Sequence, residues 1–209
     1  MIISPNAPLV CITTRPNNTI LYKTMNEKIY VGKVSLRTKV LRALWNVAYA
    51  LLFRPFVTKL FRPWRLLLLK LFGAHVSWRS EVYASARIWA PWNLTLKAGS
   101  CLGPHTTVYN QAMVTLERDA CLSQYSYICT AGHDGLNNAR TGLVVAPVIL
   151  CEGAWVGMDA YINMGVTIGQ RAVVGARASV FGDVAPQTTV GGNPARILET
   201  KQKDSVNHL

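Results

Sequence analysis

Residues 150–180 read LCEGAWVGMDAYINMGVTIGQRAVVGARASV, and two registers run through them. An aliphatic residue returns at every sixth position: Leu150, Val156, Ile162, Ile168, Val174 and Val180. Four residues after each stands a small or branched one: Ala154, Ala160, Val166, Ala172, Ala178 and Val184. A helix repeats every 3.6 residues and a strand every 2, so neither produces two interleaved six-residue registers. A hexad predicts one short strand and one turn of a parallel β-helix, which buries its apolar side only by stacking on its neighbours. Gly157, Gly169 and Gly175 follow Val156, Ile168 and Val174, where a tight corner is expected to exclude a Cβ.

The register continues upstream with two slips of two residues. Leu96, Leu102 and Val108 keep the spacing, with Ser100, Thr106 and Ala112 at the small positions. After Met113-Val114 it resumes at Leu116, Leu122 and Ile128, with Ala120 and Ser126. Before Leu96 it leads back through Leu94, Ile88 and Val82 to Val76. The longest break follows Ile128, where residues 129–149 read CTAGHDGLNNARTGLVVAPVI. A solenoid accommodates an insertion as a loop thrown out from one face, and such loops commonly carry function.

The chain has 209 residues, 50% of them hydrophobic and 15% charged, which suits one domain with an appendage and a large buried interface. Cys11, Cys101, Cys121, Cys129 and Cys151 form no C-x-x-C pair. Most flank an aliphatic repeat position, so they read as small residues in a reducing compartment, not as a disulfide or zinc framework. The N-terminus lacks the basic and apolar regions of a secretory signal, so a cytoplasmic location is expected.

The formal charge of +12 is unevenly spread. Lys33 to Arg87 holds eleven basic residues against Glu81 alone, while from Ile88 onward eight basic residues balance eight acidic ones. Residues 35–73 read as a basic helical extension. Leu36, Val40, Leu44, Val47, Ala48, Leu51 and Leu52 fall at helical spacing, with Arg37, Lys39 and Arg42 opposite, and Pro55 and Pro63 interrupt it. Its apolar run is too short to span a bilayer, which takes roughly 20 residues. Two readings stand: a cap on the open end of the solenoid, or an interfacial helix on an anionic membrane. No nucleic-acid-binding motif accompanies the basic stretch. The expected organisation is therefore an irregular segment 1–34, the extension 35–73, a β-helix 74–198 with a loop at 129–147, and a tail 199–209.

The hexads, the loop CTAGHD, the run WVGMDAYINMGVTIGQRAVVGARASVF and the ending GGNPARI together resemble the bacterial hexapeptide-repeat acyltransferases. The WcaF-type O-acetyltransferases of exopolysaccharide biosynthesis are the most similar, also through FRPWRLLLLKLFGA, IWAPWNLTL and SQYSYICTAGHD. The resemblance covers roughly residues 44–197. It implies a left-handed parallel β-helix, a homotrimer, acetyl-CoA as donor and an active site between subunits. The left hand comes from the resemblance, because parallel crossovers are otherwise right-handed.

Acetyl transfer to a hydroxyl needs a base for the hydroxyl proton and donors for the oxyanion. His133 is the one histidine of the long insertion, carries the side-chain type suited to proton transfer at neutral pH, and matches the family's catalytic histidine. His75, His105 and His208 lie at a junction, a turn and the tail. Asp134 either orients the imidazole, contacts substrate or is a solvated loop acid. On the donor side the resemblance assigns Trp155 to the pantetheine arm, Gly157, Gly175 and Ala176 to close backbone approach, and Arg196 to the phosphates, which a guanidinium suits. Where the family often has Lys-Asp, this chain has Gly182-Asp183. For the acceptor, Asn110 aligns with a sugar-contacting asparagine, and Tyr109 and Gln124 follow from position. No metal is expected, since a hydratase on this fold would need several converging histidines. The expected function is acetyl-CoA-dependent O-acetylation of a saccharide acceptor in an envelope or exopolysaccharide precursor. A small soluble acceptor, or a non-catalytic scaffold role, are the alternatives.

Overall fold

The structure is a computed structural model that describes residues 29–31, 35–133 and 143–198. From His75 onward the chain winds into a parallel β-solenoid with three faces. The first face stacks His75–Val76, Leu94–Leu96, Val114–Leu116, Val148–Leu150 and Thr167–Ile168. The second stacks Glu81–Val82, Cys101–Leu102, Cys121–Leu122, Trp155–Val156, Val173–Val174 and Thr189–Gly191. The third stacks Arg87–Ile88, Thr107–Tyr109, Tyr127–Cys129, Tyr161–Ile162 and Ser179–Val180.

The aliphatic register is the set of inward residues on these faces. Val76, Leu96, Leu116, Leu150 and Ile168 are successive partners on the first face. Val82, Leu102, Leu122, Val156, Val174 and Val190 form the second ladder. Ile88, Val108, Ile128, Ile162 and Val180 form the third. All are buried, each contributing about 1.5–3 kcal/mol relative to exposure. A single coil cannot bury its rung, so the ladder forms only as a stack.

Both two-residue slips and the long insertion fall at one corner, between the third and first faces. There the first two coils take eight residues from rung to rung, Ile88 to Leu96 and Val108 to Leu116, and the third takes twenty-two, Ile128 to Leu150. Polar side chains satisfy the widened corner. Asn110 Oδ1 accepts from Ala90 N at 3.0 Å, and Asn110 Nδ2 donates to the Ala90 and Asn93 carbonyls at 2.7 and 2.9 Å. Asn93 Nδ2 returns bonds to the Asn110 and Gln111 carbonyls, and Thr130 Oγ1 accepts from Ala112 N. Asn110, not the expected Ala112, is fully buried at this corner, as are Ala90 and Thr130 in the coils on either side.

The corner glycines leave no room for a Cβ, as expected, because the next coil lies close and not because the backbone there is left-handed. The left-handed backbone positions belong to residues such as His105, Tyr125, Asp159 and Arg177. Gly157 lacks a Cβ because one placed there would come within 2.8 Å of Ala176 N and Val174 O in the next coil.

The extension forms helix α1 (Leu36–Ala48), continued by a wider turn at Tyr49–Phe53, and helix α2 (Arg62–Leu71). Ser35 caps α1, its hydroxyl accepting from Thr38 N at 3.2 Å. One side of this unit closes the solenoid: Trp45, Phe53, Leu66 and Leu69 are buried and continuous with the core. Trp45 Nε1 donates to Ile88 O at 2.7 Å. The other side of α1 is exposed and apolar. Leu36, Val40, Leu44, Val47 and Leu51, spaced four, four, three and four apart, are each more than half exposed. The single apolar face expected from the sequence is thus two faces, with Ala48 on the inner one. Among the described residues no helix is long and apolar enough to cross a membrane. The segment expected to be irregular contributes a strand, Ile29–Val31.

Candidate active site

The long insertion leaves the solenoid after Tyr127–Cys129 and begins as a strand, Ala131–His133. That strand pairs antiparallel with Leu143–Val145, which pairs in turn with Ile29–Val31. The base of the insertion is therefore a three-stranded sheet, with His133 opposite Leu143 and exposed. Strand pairing fixes the backbone of His133 and its side chain is exposed, which suits proton transfer to a ligand. Asp134 lies outside the described residues.

The neighbours of this base come from the third face. A Cβ on Gly132 would meet Met164 Cε at 3.1 Å, so Met164 packs against the strand backbone. Tyr161 Oη and Asn163 Oδ1 are hydrogen-bonded at 3.1 Å. Tyr127 stacks on Tyr161, which meets Phe181, each pair with ring centroids 5.9 Å apart. Burial, and then the Cys129 thiol beside it, push the Tyr161 phenol up to about 12, which keeps it a neutral donor. Sequence reasoning did not single out Tyr161, Asn163 or Met164. Their signal is positional, since they flank the inward Ile162 in the coil that follows the insertion.

The expected donor-side residues gather elsewhere. Trp155 is exposed on the second face, its indole N–H donating to Ser123 Oγ at 2.8 Å. Gly157, Gly175 and the exposed Ala176 stack at the corner between the second and third faces, and Gln124 lies there one coil earlier. Arg196 is exposed beside Gly191 in the strand Arg196–Ile197 that turns back on the last coil. On the same second face the Cys101 thiol meets Cys121, whose pKa that hydrogen bond lowers to about 7. Asp183, following the departure at Gly182, accepts from Thr167 N at 2.7 Å and so closes a corner of the stack.

The expected acceptor residues separate. Asn110 is turned wholly inward and its amide is consumed by Ala90 and Asn93, so it braces the corner and presents nothing to a sugar. Tyr109 lies outward on the third face, its ring 5.8 Å from Trp89 and its hydroxyl accepting from Gln111 Nε2 at 2.6 Å. Gln124 is exposed, with its carbonyl bound by Asp159 N, at the corner away from His133.

A solenoid of hexads with one histidine-bearing excursion is the architecture of hexapeptide-repeat acetyltransferases. The chain is 34% identical over 158 residues to WcaF of Escherichia coli strain K12, named as a colanic acid biosynthesis acetyltransferase. The match covers 76% of this chain and 86% of that one. The chain belongs to this family, the WcaF-type hexapeptide-repeat acetyltransferases, and it is an acetyltransferase. A hexapeptide-repeat acetyltransferase from Vibrio cholerae superposes with a TM-score of 0.72 at 25% identity, covering 81% of this chain and 95% of that chain. The structure of that Vibrio cholerae protein in complex with acetyl coenzyme A gives the same TM-score of 0.72 at 24% identity, over 80% and 90% of the chains. No family model matches the chain.

Proposed function

We propose that this acetyltransferase carries the acetyl group of acetyl-CoA to a sugar hydroxyl of an envelope or exopolysaccharide precursor, with His133 as general base. The observation that carries the reading is the strand that presents His133 from the widened corner of the solenoid. His133 takes the proton of the attacking hydroxyl, the oxygen bonds to the thioester carbonyl, and the carbon–sulfur bond breaks. The proton returns to the departing thiolate. The similarity to WcaF supports the saccharide, and the acetyl-CoA complex of the Vibrio cholerae protein supports the donor. Trp155, Gly157, Gly175, Ala176 and Arg196 would hold the donor. They lie on the second face and its far corner, a face away from His133. A second copy bringing its donor edge to His133 would complete the site, so the working form is a homotrimer. The test is thiol release from acetyl-CoA, with and without sugars, alongside light scattering. Sugar-dependent release by a trimer is expected, and an active monomer at micromolar concentration would remove the shared site.

The outer stripe of α1 supports a place for this reaction. Large exposed apolar patches mark interaction surfaces, and residues 35–80 contain no acidic residue. We read the stripe as lying in the surface of an anionic membrane, with Arg37 and Lys39 exposed beside it. At about 1 kcal/mol per basic residue near such a surface, Arg37→Glu with Lys39→Glu should weaken binding by at least about 30-fold. Leu44→Gln with Val47→Gln should abolish it. Co-sedimentation with vesicles containing phosphatidylserine measures both, and wild-type protein left in the supernatant would refute the docking.

A further inference from the structure

Between α1 and the third face lies a cavity of about 250 Å³, lined among others by Arg42, Tyr49, Arg87, Trp89 and Tyr109. Among the described residues its lining holds two cations and no carboxylate. The ion pairs of the described residues use Arg62, Arg65, Arg118 and Arg177, so neither Arg42 nor Arg87 is neutralised within that part of the chain. The Arg42 guanidinium lies 4.1 Å from the centroid of the Trp89 ring. Its Nε–H is buried with no hydrogen-bond partner among the described residues. Buried donors are almost always paired, and one left alone is costly. Paired cations without a counter-charge, one of them held rigid on an aromatic ring, are a receptor for a phosphoryl group, which accepts several charge-assisted bonds.

The cavity also adjoins the root of the catalytic excursion. Tyr109, in its wall, accepts through its carbonyl from Thr130 N at 3.0 Å. His133 is three residues further on, at most about 10 Å along an extended chain. We propose that this cavity binds the phosphoryl group of a phosphate-linked sugar, directing the saccharide toward His133. The inference rests on the acetyl-transfer reading and deepens it, naming the acceptor as a phosphorylated glycan in place of a neutral one. The volume is below the ~300–1,000 Å³ of a site that swallows a whole small molecule. It suits a phosphoryl group with the edge of its sugar.

Such a group reaches the enzyme on a nucleotide or on a lipid. Calorimetry with pyrophosphate and with uridine diphosphate glucose tests the first source. Phosphatidylcholine vesicles with and without a polyprenyl diphosphate test the second. Arg42→Gln and Arg87→Gln should each weaken binding of the productive probe by about 10-fold or more. Arg87 is exposed, so its variant keeps the test valid if loss of the Arg42–Trp89 contact impairs folding. Arginine-dependent binding of the soluble sugar supports the inference with a nucleotide source. Arginine-dependent binding confined to the loaded vesicles supports it with a lipid source. Binding of no probe, or equal binding by both variants, overturns it. Acetyl transfer to a neutral free sugar is measured on the same variants. If that proceeds while no anion binds, this inference fails and the acetyl-transfer reading stands; arginine-dependent binding without any transfer would do the reverse.

Discussion

His133→Asn is expected to lower acetyl transfer by about 10²–10⁴-fold, the contribution of a positioned general base. That range corresponds to about 2.7–5.5 kcal/mol of transition-state stabilisation. Asparagine keeps a polar planar group on the strand, and the backbone pairing of His133 with Leu143 does not depend on the side chain. The fold and the affinity for acetyl-CoA should therefore remain, and kcat should carry the loss. Near-normal turnover by the asparagine enzyme would remove His133 from this role.

Arg65→Met should destabilise the protein by about 3–5 kcal/mol, because it removes the donor half of a buried charged network. Arg65 is 2% exposed. Its Nε donates to Val82 O at 2.8 Å, and its Nη1 donates to Phe56 O at 2.6 Å and Thr58 O at 3.0 Å. Its Nη2 lies 3.9 Å from Glu81 Oε1. One guanidinium thus ties α2, the segment before it and the first coil of the second face. Methionine fills much of the volume but leaves three carbonyls without their donor, at about 1–3 kcal/mol for each that stays dry. Urea titration of the wild type and variant measures the difference. A loss under about 1 kcal/mol would mean that water enters and replaces the guanidinium. The lost contacts include those that seat the extension on the first coil, so vesicle binding should weaken along with stability.

The two widened coils show where reading the sequence stopped. The six-residue register predicts each inward rung from Val76 to Val180, because a coil's own geometry fixes which residues point inward. The slips at Ile88–Leu96 and Val108–Leu116 are visible as interruptions, yet only stacking shows that they align with the insertion at one corner. Ala112 has the size of an inward residue and Asn110 does not. Asn110 is nevertheless the buried one, because the corner leaves Ala90 and Asn93 backbone groups that only an amide can satisfy. A side chain that reads as a sugar contact is thereby a brace.

The same division holds for the extension. Its basic charge, its aromatic residues and its breaks at Pro55 and Pro63 are properties of the chain, as is the presence of one histidine in the long insertion. These determine a solenoid, a helical appendage and a histidine-bearing excursion, because hexad period, proline geometry and a polar insertion act locally. Tertiary structure decided which apolar residues of α1 serve the core. Trp45 turns inward, its indole N–H donating to Ile88 O, and that leaves Leu36, Val40, Leu44, Val47 and Leu51 outside. It also decided that Arg42, one of several similar basic residues in sequence, lies over Trp89 instead of in solvent. Helical spacing fixes which residues share a face, but the partner that a face meets comes from residues about forty positions away, and those are brought near only by the fold.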